Sequence, residues 1–154
     1  MEIRRFRQED AAEVERLITR TLRVTNSRDY SPEDIEANVL SHSAETVLKQ
    51  AEDGHSYLAC DGARIVGCGT VAGIGGSKTE SILLSIFVLP EYQGRGVGRQ
   101  IVETLERDEY FLRAERVEIS SSITAVEFYR KLGYTDKGGS VQFDGDAYML
   151  EKLR

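Results

Sequence analysis

The chain has no tryptophan, two prolines, two cysteines and two histidines among 154 residues. Each scarcity removes a class of explanation. Cys60 and Cys68 have no Cys-x-x-Cys partner, and His42 and His55 form no spaced pair, so a structural metal site has little to stand on. The Asp61-Gly62 pair reads as a hairpin turn, which in a simple register sets the two cysteines on opposite faces of neighbouring strands as free, buried thiols. No apolar run approaches the ~20 residues needed to span a bilayer, and no basic-then-apolar leader opens the chain, so a cytoplasmic protein without a membrane partner is expected. With no Pro-rich or Ser-rich linker and no internal repeat, residues 1–154 read as a single domain. A net charge of -6 argues against nucleic acid and is compatible with a cationic ligand.

What is present is a turn with glycine at every second position, 94, 96 and 98. Ile86-Phe87-Val88-Leu89-Pro90 is an apolar run that breaks at proline into Glu91-Tyr92-Gln93-Gly94-Arg95-Gly96-Val97-Gly98. Glycines allow close backbone approach and left-handed conformations, so this turn can aim unpaired N–H groups at an anion. Val97, Ile101, Val102 and Leu105 then share a face of a helix drawn from Val97 to about Glu109, whose polarised first turn faces the same anion. A Walker loop would need Lys and then Ser or Thr where Arg99-Gln100 stands. A dinucleotide fingerprint would need glycine at Arg99, although Glu118 falls near the distance of a ribose carboxylate.

A second segment, Ser122-Ile123-Thr124-Ala125-Val126-Glu127-Phe128-Tyr129-Arg130-Lys131-Leu132-Gly133-Tyr134, follows about thirty residues later. Ser122 reads as an N-cap, Ala125, Phe128 and Leu132 share a helical face, and Gly133 supplies a left-handed stop. Tyr129 is the residue such a helix does not require; its ring can pack with a wet hydroxyl, or the hydroxyl can do chemistry.

Elsewhere Ile3 and Phe6 begin a strand, and Ala11, Val14, Leu17, Ile18 and Leu22 fall at helical spacing. Ser31-Pro32-Glu33-Asp34 opens a second helix and Ser43 restarts it. Strands are expected at 57–60, 65–74 and 81–89 as an antiparallel meander, at 117–120, and from Tyr134 onward with 147–150 across an Asp144-Gly145 turn. Pattern alone yields a mixed α and β domain.

The two motifs, in this order and spacing, resemble the GCN5-related N-acetyltransferase (GNAT) superfamily. Gln93 to Gly98 is similar to its pyrophosphate loop, and Ala125 to Tyr134 to its Ala-x-x-Phe-Tyr-x-Lys-x-Gly-Phe/Tyr segment. The resemblance implies an α/β (α+β) fold with a mainly antiparallel central sheet flanked by helices, in the order β-α-α-β-β-β-α-β-α-β-β. It implies acetyl-coenzyme A as cofactor, transfer of acetyl to a primary amine of a small molecule or peptide by direct attack, and release of coenzyme A. Backbone groups of Ile86, Phe87 and Val88 would hold the pantetheine arm, Gln93, Gly94, Arg95, Gly96, Val97 and Gly98 the diphosphate, with Ser122 and Phe128 beside the coenzyme. Tyr129 would protonate the leaving thiolate, and the N–H near Val88 would meet the oxyanion. Relatives that use a carboxylate base would carry it near Ile82, which is apolar; Glu80 is the nearest alternative. Asn26, Arg28, Asp29 and Tyr30 would line the acceptor cleft, Asp29 and Tyr30 foremost. The closing strands could pair with a second copy as a homodimer. The alternative from another class is a non-catalytic acyl-coenzyme A binding or sensing module.

Overall fold

A computed structural model describes residues 1–154. Seven strands form one sheet in the order β1-β2-β3-β4-β5-β7-β6. They are β1 (Glu2–Arg5), β2 (Gly54–Asp61), β3 (Arg64–Gly73), β4 (Glu80–Val88), β5 (Arg116–Ser122), β6 (Thr135–Asp136) and β7 (Ala147–Leu153). Every pairing is antiparallel except β4 with β5. The helices are α1 (Ala11–Val24), α2 (Pro32–Ser41), α3 (Ala44–Asp53), α4 (Val97–Leu105), α5 (Glu109–Leu112) and α6 (Val126–Lys131). The expected order is present, with the helix expected from Ser43 as α3 and one short helix, α5, added.

Local chemistry explains most boundaries. Ser31 and Ser43 cap α2 and α3 by accepting from the N–H groups of Asp34 (3.2 Å) and Thr46 (3.3 Å). Val97, Ile101, Val102 and Leu105 of α4 are buried, each burial stabilising the fold by about 1.5–3 kcal/mol. The helix lies close because β3 presents Gly67 and Gly69 beneath it. A Cβ at either glycine would stand 2.7 Å from Ile101.

Three expectations need correction. The helix from Val97 stops at Leu105 rather than Glu109, because the Asp108 carboxylate caps a new helix at the N–H of Tyr110 (2.9 Å). That carboxylate is also held by His55 Nδ1 at 2.7 Å and by the Tyr57 hydroxyl, which donates to it at 2.6 Å; both partners lie more than fifty residues upstream. Ser122 does not begin α6 either. It ends β5, and its hydroxyl accepts from the N–H of Ala125 (3.1 Å) in the turn that enters the helix. The third correction concerns the cysteines. The β2–β3 turn falls at Gly62-Ala63, between the Asp61–Arg64 partners, and the register shifts near Ala59 so that Leu58 opposes Cys68. Cys60 follows Leu58 by two residues, so both thiols share one face. They are free and buried.

Candidate functional site

Strands β4 and β5 run together only from Glu80–Arg116 to Leu83–Ile119. Beyond that point β4 stays with β3 as far as Val88, while β5 stays with β7 as far as Ser122. The sheet therefore forks, and one edge of each arm loses its backbone partners. A bulge sharpens the fork. The β3–β4 register shifts between Cys68 and Thr70, and opposite it Ser85 is the one non-glycine residue with positive φ, at 52°. Its hydroxyl donates to Gln50 Oε1 (2.8 Å), and its carbonyl accepts from Cys68 Sγ (3.3 Å).

The fork opens a cleft of about 740 Å³. At one end is the glycine turn, where Gly94 and Gly96 have φ of 75° and 81° and Gly96 is the N-cap of α4. The backbone N–H groups from Gly94 through Arg99 find no acceptor in the chain, whereas Gln100 already bonds to Gly96. Six consecutive free donors, running from the turn into the first turn of α4, make a concave anion site. Gly98 keeps the wall narrow, since a Cβ there would lie 3.2 Å from Cζ of Phe128. The Gln93 side chain turns inward and ties the turn to the body, donating to the Val88 carbonyl (3.0 Å) and Thr25 Oγ1 (3.1 Å).

Tyr129 stands on the floor of the fork. It is 5% exposed, and its hydroxyl bonds to no group of the chain. No buried side-chain oxygen or nitrogen is left without a partner, so that hydroxyl opens on the cleft. Burial, with a smaller contribution from the neighbouring Cys68, pushes the phenol above its ordinary value and keeps it protonated. Burial likewise raises the Cys68 thiol, to about 12.

The other end is built from distant segments. The Tyr30 hydroxyl donates to the Asp146 carbonyl (2.6 Å) and accepts from the N–H of Ile123 (2.8 Å). Thr124 Oγ1 donates to Asp29 Oδ2 (2.7 Å) beside it. The segment between α1 and α2 is thus tied to the turn after β5 and to the loop before β7. Asp144 in that loop accepts from the N–H groups of Asp146 and Ala147, which hold its carboxyl below the usual range.

Of the residues singled out in the sequence, Ile86, Phe87, Val88, Gln93, Gly94, Gly96, Val97, Gly98, Ser122, Phe128, Tyr129 and Tyr30 line the cleft, as does Asn26. Arg95 stacks on Tyr92 with its guanidinium 5.1 Å from the ring centroid, outside the lining. Asp29 contributes its bond to Thr124 rather than a wall. Glu80 lies outside the cleft, at the joined end of the fork, with its carboxylate 3.2 Å from the Arg116 guanidinium. Sequence reasoning missed Arg99, Asn38, His42, Gln50 and Ser85, which also face the cleft. No motif marks them.

The family model described as "Acetyltransferase (GNAT) domain" matches residues 26–149. No curated protein matches the chain. Among solved structures, a GCN5-related N-acetyltransferase from Rhodopseudomonas palustris superposes with a TM-score of 0.82 at 22% identity, covering 99% of this chain and 95% of that one. PaiA N-acetyltransferase from Thermoplasma acidophilum, in complex with coenzyme A, gives 0.82 at 21% identity with coverage of 99% and 98%. An aminoglycoside 6'-N-acetyltransferase complexed with coenzyme A gives 0.71 at 19% identity with coverage of 99% and 97%. These likenesses speak to the fold. The family match takes in most of the chain, including the forked strands, the glycine turn and the Tyr129 helix, and the chain therefore belongs to the GNAT acetyltransferases.

Proposed function

We propose that the chain carries an acetyl group from acetyl-coenzyme A to a primary amine of a small molecule or peptide by direct attack, releasing coenzyme A. The observation that carries this reading is the run of six unpartnered N–H groups, Gly94 to Arg99, joined by one continuous cleft to the free hydroxyl of Tyr129. Diphosphate fits the donors, and the pantetheine arm fits the unpaired backbone between the arms of the fork. The thioester then falls near the bulged stretch from Ser85 to Val88. Attack by a neutral amine on its carbonyl forms the C–N bond and an oxyanion, for which a β4 backbone N–H near Val88 is the nearest class of donor. As the C–S bond breaks, the Tyr129 hydroxyl supplies the proton that the sulfur needs. Burial keeps that hydroxyl in its protonated form, so the proton is present when the sulfur leaves.

The acceptor end carries Asp144 and Asp146, which favours a cationic amine. A neighbour of the same fold is an aminoglycoside 6'-N-acetyltransferase, so aminoglycosides belong among the acceptors to test. The test is calorimetric titration with acetyl-coenzyme A, coenzyme A, NAD and ATP, then thiol release with spermidine, kanamycin, tryptamine and a lysine-bearing peptide. Selective coenzyme binding with amine-dependent release supports the reading. Coenzyme binding without release from any of these amines would favour a sensing module, and absence of coenzyme binding would overturn the site.

A further inference from the structure

The direct-attack reaction needs a proton acceptor for the amine, and the β4 carboxylate that could serve is absent: position 82 is isoleucine, and Glu80 is paired with Arg116 outside the cleft. We infer that His42, at the C-terminal end of α2, is that acceptor. The inference rests on the acetyl-transfer reading above.

The geometry points to a ring held in one tautomer and one orientation. His42 Nδ1 lies 2.8 Å from the backbone carbonyl of Asn38. A carbonyl can only accept, so Nδ1 carries the hydrogen, and it is Nε2 that holds the lone pair whenever the ring is neutral. Ser41 Oγ, 3.2 Å from Nδ1, lies on that same side of the ring. Nε2 has no partner in the chain. The ring is packed edge-on against Phe87, with centroids 5.3 Å apart and planes at 84°, and both residues line the cleft. Phe87 belongs to the bulged stretch of β4 where the thioester would lie.

Elimination leads to the same atom. The other titratable groups that line the cleft are Tyr30, Tyr92, Arg99, Tyr129, Asp144 and Asp146. Tyr30 and Tyr92 donate their hydroxyls to the Asp146 carbonyl and to Asp61 Oδ2. Arg99 is a cation paired with Glu103, and Tyr129 is a protonated phenol. Asp144 holds two N–H groups at Oδ1, and both it and Asp146 are exposed and away from the reacting strand. His42 alone combines partial burial, a free basic atom and contact with the reacting strand.

In the step this assigns, the amine nitrogen bonds to the thioester carbon, and one proton leaves that nitrogen for His42 Nε2. The C–S bond breaks, and the sulfur leaves with the proton from Tyr129. The imidazolium then returns its proton through water, restoring both groups. No oxidant or further reactant is required.

The experiment compares the native chain with His42→Gln and His42→Ala, using the fastest amine of the panel above. His42→Gln is expected to lower kcat by about a hundredfold while coenzyme A affinity stays within about twofold. An acid limb in the native kcat profile is expected to be absent from that of His42→Gln. Added imidazole restores turnover to His42→Ala and leaves His42→Gln, whose side chain fills the space, unaffected. Retention of the acid limb and of native kcat in both variants would overturn the role of His42 while leaving acetyl transfer standing. A native chain that binds coenzyme A yet releases no thiol with any amine would overturn the parent reading and this one together. A loss of kcat without imidazole rescue and with an unaltered pH limb would assign His42 to packing against Phe87 and likewise overturn it.

Discussion

The two ends of the cleft are made of different material. The end we assign to coenzyme is main chain: consecutive N–H groups from Gly94 to Arg99, supplied by one short stretch of sequence. The end we assign to the acceptor is side chains brought together across the fold, with Tyr30 bonded to groups 93 and 116 residues away and Thr124 to a group 95 residues away. A site built from a contiguous backbone run can be recognised wherever the run occurs. One built from distant side chains exists only after the sheet has assembled.

The sharpest way to break that contrast is to place charge in the backbone site. Gly96→Asp is expected to cost about a thousandfold in coenzyme A affinity by calorimetry, since a carboxylate would compete for the diphosphate position and two or three charge-assisted bonds would be lost. Nothing lies within 4 Å of a Cβ at Gly96, so the variant should fold, at a cost of about 1–2 kcal/mol for the left-handed backbone. Gly96→Ala carries the strain without the charge, and it separates the two effects. Undiminished affinity in Gly96→Asp would remove the diphosphate from this turn.

Next in size is Tyr129→Phe, where the fork meets both ends. Turnover should fall by about a hundredfold with coenzyme affinity unchanged. The pH profile carries a sign of its own. Because burial raises the phenol pKa, the acid form persists as pH rises, so the native rate should show no alkaline limb from Tyr129 below about pH 10. A limb that appears lower and vanishes in Tyr129→Phe would mean a phenol not raised by its surroundings.

Smaller effects belong to the acceptor end. Thr124→Val removes the bond to Asp29 with little change of volume and should raise the acceptor KM about threefold, with stability reduced by about 1 kcal/mol in denaturant melts. Equal losses of coenzyme and acceptor affinity would contradict the division of the cleft. The smallest effect is expected for Glu80→Gln. Its carboxylate pairs with Arg116 beyond the cleft and its side chain is 42% exposed, so kcat should hold within about twofold and stability within about 1 kcal/mol. A hundredfold loss of kcat there would bring the base back to β4.

The same division explains how much was legible in the sequence. Helix starts at Ser31 and Ser43, the glycine turn and the three-strand meander each depend on residues a few positions apart, and local pattern located them. The split between α4 and α5 was not legible because Asp108 is held by His55 and Tyr57 from another strand. The shared face of the two cysteines depends on a bulge, which no alternation pattern announces. In the sequence His42 stands only as a histidine with no spaced partner for a metal. Its meaning comes from the Asn38 carbonyl on one side and Phe87, forty-five positions later, on the other.

The burial of Cys60 and Cys68 on one face has a practical reach. Neither thiol is open to an alkylating reagent while the sheet is closed, and Cys68, raised to about 12 and donating to Ser85, would be slow to ionise even if reached. Alkylation of the native chain therefore times the opening of its core, a stopwatch the molecule carries with it. Because the Ser85 carbonyl belongs to the strand that forms the cleft, coenzyme should slow that clock by mass action, so that ligand binding can be read from the disappearance of two thiols without any turnover at all.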